Sequence, residues 1–430
     1  MKERIAIVDG VRTPFSKAGG ALKKISADDL GAIPVKELLF RLNWNPSEID
    51  EVIIGNVAQP ANAANIARVI ALKAGIPKTV PAYTVHRNCG SGMASVTSAA
   101  NKILAGEADF ILAGGTESMS NIPLIYNATA THWLAAMSRA KKPFDKLKLF
   151  AELPIKAFLN PVIGVLEGLT DPTCGLIMGL TAENIAREFC INREAQDQYA
   201  LDSHLKAAAA KKLLNEEIVP VVYPSESGST VLSEDDGPRP AQSLASLGKL
   251  PPYFDRKNGT VTIGNTCPLT DGAAAVLLMT ESRAKVLGLS VLGYLREYAY
   301  AGLEPERMGL GPVYASAVVL RKAGLSVSDM DLIEMNEAFS AQILANMAAF
   351  ASPEFGRQYL GLAGALGEID PNILNINGGA VALGHPVGVS GTRLIITLLK
   401  SLRRQGKQRG LATLCIGGGQ GAALILEVNE

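Results

Sequence analysis

Short apolar runs alternate along the chain with longer stretches in which apolar residues return every three or four positions. RIAIV closes on Asp9-Gly10, a turn signal, and reads as a first strand. A helical pattern follows over about 28 to 42, EVIIG at 51 to 55 reads as a buried strand, and a second helix is expected over about 62 to 74. PAYTV is strand-like, and Met93, Val96, Ala100, Ile103 and Leu104 then recur at helical spacing before the buried run DFILAGG. Strand, turn, helix and strand in succession, with few polar positions in the strands, is α/β patterning around a largely buried sheet.

The second part of the chain repeats this grammar. IDEVIIGNVAQ, the glycine-rich turn NCGSGM, a helix and DFILAGGTESMS are matched later by MDLIEMNEAFSAQ, NGGAVALGHPVGVSG, a helix through ITLLKSL and GLATLCIGGGQG. Two strand-rich units, each with glycine-rich turns, would bring four turns together near one edge. The expected division is an N-terminal half over 1–120 and 251–285, an inserted region over 121–250 and a C-terminal half over 286–430. The insertion has a different texture. YPSESGST and EDDGPRP read as loops, and SRAKKPFDKLKLFAELPIKAF sets Lys141, Lys142, Lys146 and Lys148 beside Phe144, Leu147, Leu149 and Phe150. That basic amphipathic segment, about 139 to 158, either lies with its apolar side packed and its lysines solvated, or contacts an anionic lipid surface or a phosphate.

Composition narrows the field. Lysines plus arginines number 41 and acids 41, so no global field draws the chain to nucleic acid. The first apolar run is too short for a signal-peptide core, and no apolar run approaches the roughly 20 residues of a membrane helix. A protein of the cytoplasm, or alternatively of a mitochondrial matrix, is expected. The five cysteines, Cys89, Cys174, Cys190, Cys267 and Cys415, include no CxxC pair, and the histidines stand singly, so neither a disulfide framework nor a zinc site is expected. Each cysteine is then a buried filler or a reactive thiol.

Cys89 sits where PAYTV turns through Gly90 and Gly92 into a helix. The positive end of that helix would lower its thiol pKa and favour thiolate. His385, between Gly384 and Pro386, belongs to a turn and could serve such a cysteine as base. Cys415 ends the apolar strand LATLC, as a buried cysteine or as a second thiol that carries a proton to and from carbon. Asn336 and Glu337 follow the buried strand DLIEM, where Asn336 could orient a water or substrate carbonyl or simply cap a helix. Gly417 to Ala422 fits a loose GxGxxA fingerprint, but only the strand ALILEV follows, so a dinucleotide site is rejected.

HRNCGSGM, MNEAFSAQ, GGAVALGHPVGVSG and CIGGGQG, in this order and spacing, look like the four active-site segments of the thiolases, and IVDGVRTPF and TIGNTCPLTDGAAA extend the likeness over essentially the whole chain. The resemblance implies a duplicated α/β/α/β/α layered fold with an inserted loop domain, assembled as a homodimer or homotetramer. It implies Cys89 as the acylated nucleophile, His385 as its base, Cys415 as the acid/base at the acetyl carbon, Asn336 as the holder of an oxyanion-hole water, and the amides of Cys89 and Gly417 as a second oxyanion hole. It places Arg239, Cys267 and Met178 on the coenzyme A side. Coenzyme A enters as substrate, with no permanently bound cofactor and no metal.

MGLTAENIAREF and YLREYAYAGLEPERMGLGPVYA look most like the thiolase β subunits of multienzyme fatty-acid oxidation complexes, which implies a hydratase/dehydrogenase α subunit as partner. Three positions depart from the pattern: Asn336 where that subgroup usually has His, Cys267 where Ser commonly stands, and Ile177 where short-chain enzymes often carry His. The implied activity is cleavage of 3-ketoacyl-CoA by coenzyme A in fatty-acid β-oxidation. A biosynthetic acetoacetyl-CoA thiolase, a 3-ketoacyl synthase and a non-catalytic lipid-binding relative are the alternatives.

Overall fold

The computed structural model describes residues 3–226 and 228–428. Ten strands form one sheet: β1 Ile5–Arg12, β2 Ser16–Lys17, β3 Glu51–Gly55, β4 Ala82–Val85, β5 Ile111–Ser118, β6 Thr270–Thr280, β7 Gly293–Gly302, β8 Leu332–Met335, β9 Arg409–Ile416 and β10 Gln420–Glu427. Their order is β8-β9-β10-β7-β1-β6-β5-β3-β4, with the short β2 paired to β6.

The order is the same read from either end. β3 is parallel to β4 and β5, β5 is antiparallel to β6, and β6 to β1. In the second half β8 is parallel to β9, β9 is antiparallel to β10 and β10 to β7, while a single parallel bridge from Ile333 to Leu374 stands where β4 would be. The halves join through antiparallel pairing of β1 with β7. The repeat extends to individual hydrogen bonds. Asp50 accepts from the backbone N–H groups of Asp109 and Phe110, and Asp331 from those of Gln408 and Arg409. With Asp50 matched to Asp331 and Phe110 to Arg409, strand register matches Gly55 to Asn336, Thr116 to Cys415 and Ser118 to Gly417.

Side chains alternate along each strand, and both faces are apolar. On β6, Ala274, Val276 and Leu278 point to a central core, while Ala275, Leu277 and Met279 point to an outer one; on β10, Ala422, Leu424 and Leu426 do the former and Ala423 and Ile425 the latter. The central core is filled by α3 (Ser91–Leu104) and by α6 (Ser390–Arg404). The outer cores are closed by α1 (Ala27–Arg41) and α2 (Ile66–Lys73) on one half and by α4 (Gly311–Ala323) and α5 (Ser340–Ala351) on the other. Outer helices, one half of the sheet, the central helices, the other half of the sheet and outer helices follow in layers, the α/β arrangement the sequence implies. Each fully buried leucine or isoleucine of the central pair contributes about 1.5–3 kcal/mol.

Where α3 and α6 cross, glycine is obligatory. A Cβ on Gly92 would lie 2.8 Å from the backbone nitrogen of Thr392, and one on Gly391 2.5 Å from that of Met93. This close crossing sets the N-termini of the two central helices, and the turns that lead into them, side by side.

Between β5 and β6 lies the insertion, mostly helical. YPSESGST is not a loop: Val221–Ser225 pairs antiparallel with Gly228–Leu232 as a hairpin. The second helix starts at Ile66 rather than near 62, because residues 61 and 62 form a turn. The lysine-rich stretch forms helices Pro143–Ala151 and Ile155–Leu159 after helix Ala128–Arg139. The packed apolar side expected for it is absent: Phe144, Leu147 and Phe150 are 76%, 67% and 66% exposed, beside the exposed lysines, because the helix stands off the body of the chain. Among the described residues no helix is long and apolar enough to cross a membrane.

Candidate active site

The turn before α3 is built around Asn88, whose φ of 44° lies in the left-handed region that asparagine tolerates better than most residues. Ser91 closes it, its hydroxyl accepting from Arg87 N–H at 2.9 Å and donating to Asn88 O at 2.7 Å. The Asn88 amide reaches across to the opposite half and donates to Gly417 O at 2.8 Å. Cys89 is thereby held at the mouth of α3 against the hairpin turn of β9 and β10, in which Gly418 and Gly419 adopt φ of 88° and 71°.

The expectation of a lowered Cys89 pKa is corrected. Its thiol is pushed up, chiefly by burial, with the charge of Glu117 adding to this; the N–H groups of Gly417 and of Cys89 itself pull the other way without winning. The reason lies in the turn. Gly90 N–H is spent on Arg87 O at 2.9 Å and Ser91 N–H on Asn88 O at 3.0 Å, so the first amides of the helix serve carbonyls rather than the sulfur. At rest Cys89 is a thiol, and a base must take its proton.

Burial raises the pKa values of Cys267 and Cys415, and proximity to Cys89, whose thiolate would repel theirs, raises both further. Three thiols therefore lie near one another. Cys415 packs with Ala338, Phe339 and Met178, and the Met178 sulfur stands 3.4 Å from where a Gly417 side chain would begin. The segment carrying Cys267 ties the remaining pieces together, since Cys267 N–H donates to Ala338 O at 3.2 Å and Pro268 O accepts from His385 N–H at 3.0 Å.

His385 is buried. Its Nδ1 lies 2.6 Å from Ser390 Oγ, and its Nε2 has no partner. Burial, aided by the Arg393 cation, lowers its pKa to about 3, so the ring is neutral near pH 7 and available as a base. Asn336 is fully buried with neither Oδ1 nor Nδ2 bonded. It caps nothing, because α5 begins four residues later with Phe339 at its N-cap. A buried primary amide left unsatisfied at both ends is a position made for a water or a substrate oxygen.

Arg239 stands apart, exposed on the DDGPRP loop. That loop is clamped by Arg12, which donates to Asp235 at 2.7 and 2.8 Å, and it abuts the His385 segment where a Gly237 side chain would meet Ala382 O at 2.2 Å. Arg239 N–H donates to His204 Nδ1 at 3.3 Å, and burial together with the Arg239 cation lowers the His204 pKa to about 4. The site thus divides into a centre in which His385, Cys415, Asn336 and Gly417 are buried and Cys89, Cys267 and Met178 half-buried, and a rim with Arg239.

Two residues of this centre escaped sequence reasoning. Ser390 follows His385 by five positions and looked like one more small residue in VGVSG. Glu117 is the last residue but one of β5, where it accepts from Asn56 Nδ2, Val57 N–H, Ala58 N–H and Gly388 N–H at 2.9–3.0 Å and so ties the His385 segment to the first half. Burial raises its pKa to about 7. An acid near the end of an otherwise apolar strand was the available signal. Glu337 is structural: Tyr199, Ser203, Asn375 and Val381 N–H all donate to it.

The family models Thiolase, N-terminal domain, and Thiolase, C-terminal domain, match residues 5–282 and 289–428. The chain belongs to the thiolase family. It is 44% identical to the 3-ketoacyl-CoA thiolase of Serratia proteamaculans, over 99% of this chain and 97% of that one, and 43% identical to the enzyme of the same name from Yersinia enterocolitica over the same shares. Human mitochondrial 3-ketoacyl-CoA thiolase superposes with a TM-score of 0.85 at 36% identity, covering 99% of both chains, and the Bacillus anthracis acetyl-CoA acetyltransferase with 0.86 at 37%, also covering 99% of both. As a thiolase the chain is an acetyl-CoA C-acyltransferase, an enzyme of a family that acts on coenzyme A thioesters.

Proposed function

We propose that this thiolase cleaves 3-ketoacyl-CoA with free coenzyme A by a ping-pong route through acyl-Cys89, in the β-oxidation of fatty acids in a bacterial cytoplasm. The observation that carries the reading is the coupling of Cys89 to Cys415 and Cys267, with His385, its Nε2 without a partner, bonded through its backbone N–H to Pro268 beside Cys267. The Cys89 proton passes to His385 Nε2, and the thiolate adds to the 3-keto carbon. The amides of Cys89 and Gly417, and a water on Asn336 together with His385, receive the oxyanions. The bond between C2 and C3 breaks, and the enolate of acetyl-CoA takes its proton from Cys415. Coenzyme A then gives its thiol proton to the Cys415 thiolate, its sulfur adds to acyl-Cys89, and the shortened acyl-CoA forms as the Cys89 thiolate leaves and regains its proton from His385. Arg239, Cys267 and Met178 line the side on which coenzyme A enters.

The test is coenzyme A-dependent cleavage of acetoacetyl-CoA and of a longer 3-ketoacyl-CoA, with Cys89→Ala as control. Faster turnover of the longer substrate is expected; cleavage of neither, or full cleavage by the variant, contradicts the reading. Preference for condensing two acetyl-CoA molecules would favour the biosynthetic alternative.

Two features bear on assembly. The edge strand β4 leaves one side of its backbone open to a second copy, which supports a homodimer or a dimer of dimers. The helix Pro143–Ala151, with Phe144, Leu147 and Phe150 exposed among lysines, suits an anionic bilayer surface. Flotation with anionic but not neutral vesicles is expected. Association with a hydratase/dehydrogenase subunit and no flotation would replace the membrane by that partner.

A further inference from the structure

We propose that Ser390 is a positioning residue that fixes His385 in the Nδ1–H tautomer, so that the bare lone pair stands on Nε2, the ring nitrogen that has no partner. The proposal rests on the reading of His385 as the base for Cys89.

A serine hydroxyl has one proton to give. Ser390 Oγ lies 2.6 Å from His385 Nδ1 and 3.3 Å from the carbonyl oxygen of Pro386. With the hydroxyl proton directed to that carbonyl, the oxygen offers only lone pairs to the ring, and Nδ1 must be the donor. The opposite wiring would put the ring proton on Nε2, the form a free imidazole favours, and would leave no base facing the pocket.

The duplicated fold favours the first wiring. Ser91 and Ser390 are each the first residue of a central helix, each fully buried, and each followed by the glycine at the helix crossing. The orientation of Ser91 is unambiguous. Its partner at 2.9 Å is the N–H of Arg87, which can only donate, so its own proton goes to Asn88 O at 2.7 Å. Ser390 makes a related pair of contacts shifted by one residue, to the carbonyl four residues back rather than three and to the ring Nδ1 where Ser91 meets a backbone amide. On this reading an imidazole N–H serves Ser390 as a backbone N–H serves Ser91. Glu117 holds the intervening turn in place through Gly388 N–H at 3.0 Å, so the ring cannot drift from the hydroxyl.

The experiment uses the whole enzyme labelled with 15N-histidine. Ring nitrogens are recorded near pH 7.5, and His385 is assigned by the signals missing from His385→Asn. The wild-type ring is expected to be protonated at Nδ1 and bare at Nε2. In Ser390→Ala the ring should move to the Nε2–H form or a mixture, and kcat for cleavage should fall about tenfold to hundredfold with KM changed less than about twofold. A wild-type ring protonated at Nε2, an unchanged tautomer in Ser390→Ala, or unchanged turnover in that variant overturns the proposal. The tautomer is read without substrate, so a failure of the assigned activity and a failure of the Ser390 role give different results.

Discussion

The two halves of the sheet share a backbone and divide the chemistry. At the position where the first half has Thr116, with its hydroxyl bonded to Ala27 O, the second has Cys415, a thiol set among hydrophobic neighbours. Where the first has Gly55, pressed against the backbone of α3, the second has Asn336 with both amide atoms free. At the mouths of the central helices the balance reverses. The first half carries Cys89 two residues before Ser91, whereas Gly388 stands two residues before Ser390. One copy of each duplicated position is spent on structure, and its twin is left without partners to meet a substrate. Duplication thus supplies a rigid frame in which reactive groups from opposite repeats face one another.

Substitutions at matched positions break or sharpen this comparison. Cys415→Ala should lower kcat for cleavage by about 10³-fold, within the range of general acid–base catalysis, and leave stability nearly unchanged. Its twin Thr116→Val should do the converse, costing about 1 kcal/mol through a lost buried hydrogen bond while turnover stays within about twofold. Steady-state kinetics and urea unfolding on both variants check the contrast.

Asn336→Ala should cost about 10²-fold in kcat with no loss of stability, because the amide it removes has no partner. At Gly55 a Cβ would lie 2.6 Å from the carbonyl of Ser91, so Gly55→Ala should destabilise by roughly 1–3 kcal/mol. Equal destabilisation by both substitutions would contradict the division between functional and structural twins.

Buried histidine gives a pH contrast. The folded pKa of His204 is depressed to about 4 from an ordinary value of 6.5, so it contributes stability that is present above about pH 6.5 and lost as pH falls toward 4. The buried acids Glu117 and Glu334, both raised to about 7, act in the opposite sense, and only a difference between variants isolates the histidine. The stability of wild type relative to His204→Gln should fall by roughly 2 kcal/mol between pH 7 and 5, read from urea midpoints. A constant difference would place His204 in solvent. Smallest of all, Phe144→Asp should change cleavage less than about twofold, since that side chain lies outside both halves and touches neither twin set.

Much of this was legible in the chain. The short apolar runs, the repeated glycine-rich turns and the four chemical segments point to the layered fold and to Cys89, His385, Cys415, Asn336 and Gly417. What sequence could not supply was direction and solvent. The turn at Asn88 looked like a helix mouth that would favour thiolate, but its amides are consumed within the turn, and burial raises the thiol pKa instead. Ser390 and Glu117 were silent because their meaning depends on what folds against them, a ring five residues back and an amide in the other half. The apolar side of helix Pro143–Ala151 has the periodicity of a packed face, and only the fold reveals that Phe144, Leu147 and Phe150 stay exposed.

The central claim is that Cys89 carries the acyl group and residues of the opposite repeat serve it. Brief incubation of the pure enzyme with acetoacetyl-CoA in the absence of free coenzyme A, followed by acid quench and peptide mass spectrometry, tests it most directly. An acetyl adduct on the Cys89 peptide, discharged on addition of coenzyme A and absent from the Cys267 and Cys415 peptides, is the predicted result. Acylation of Cys415 or Cys267, or cleavage with no acyl-enzyme on Cys89, would contradict the account.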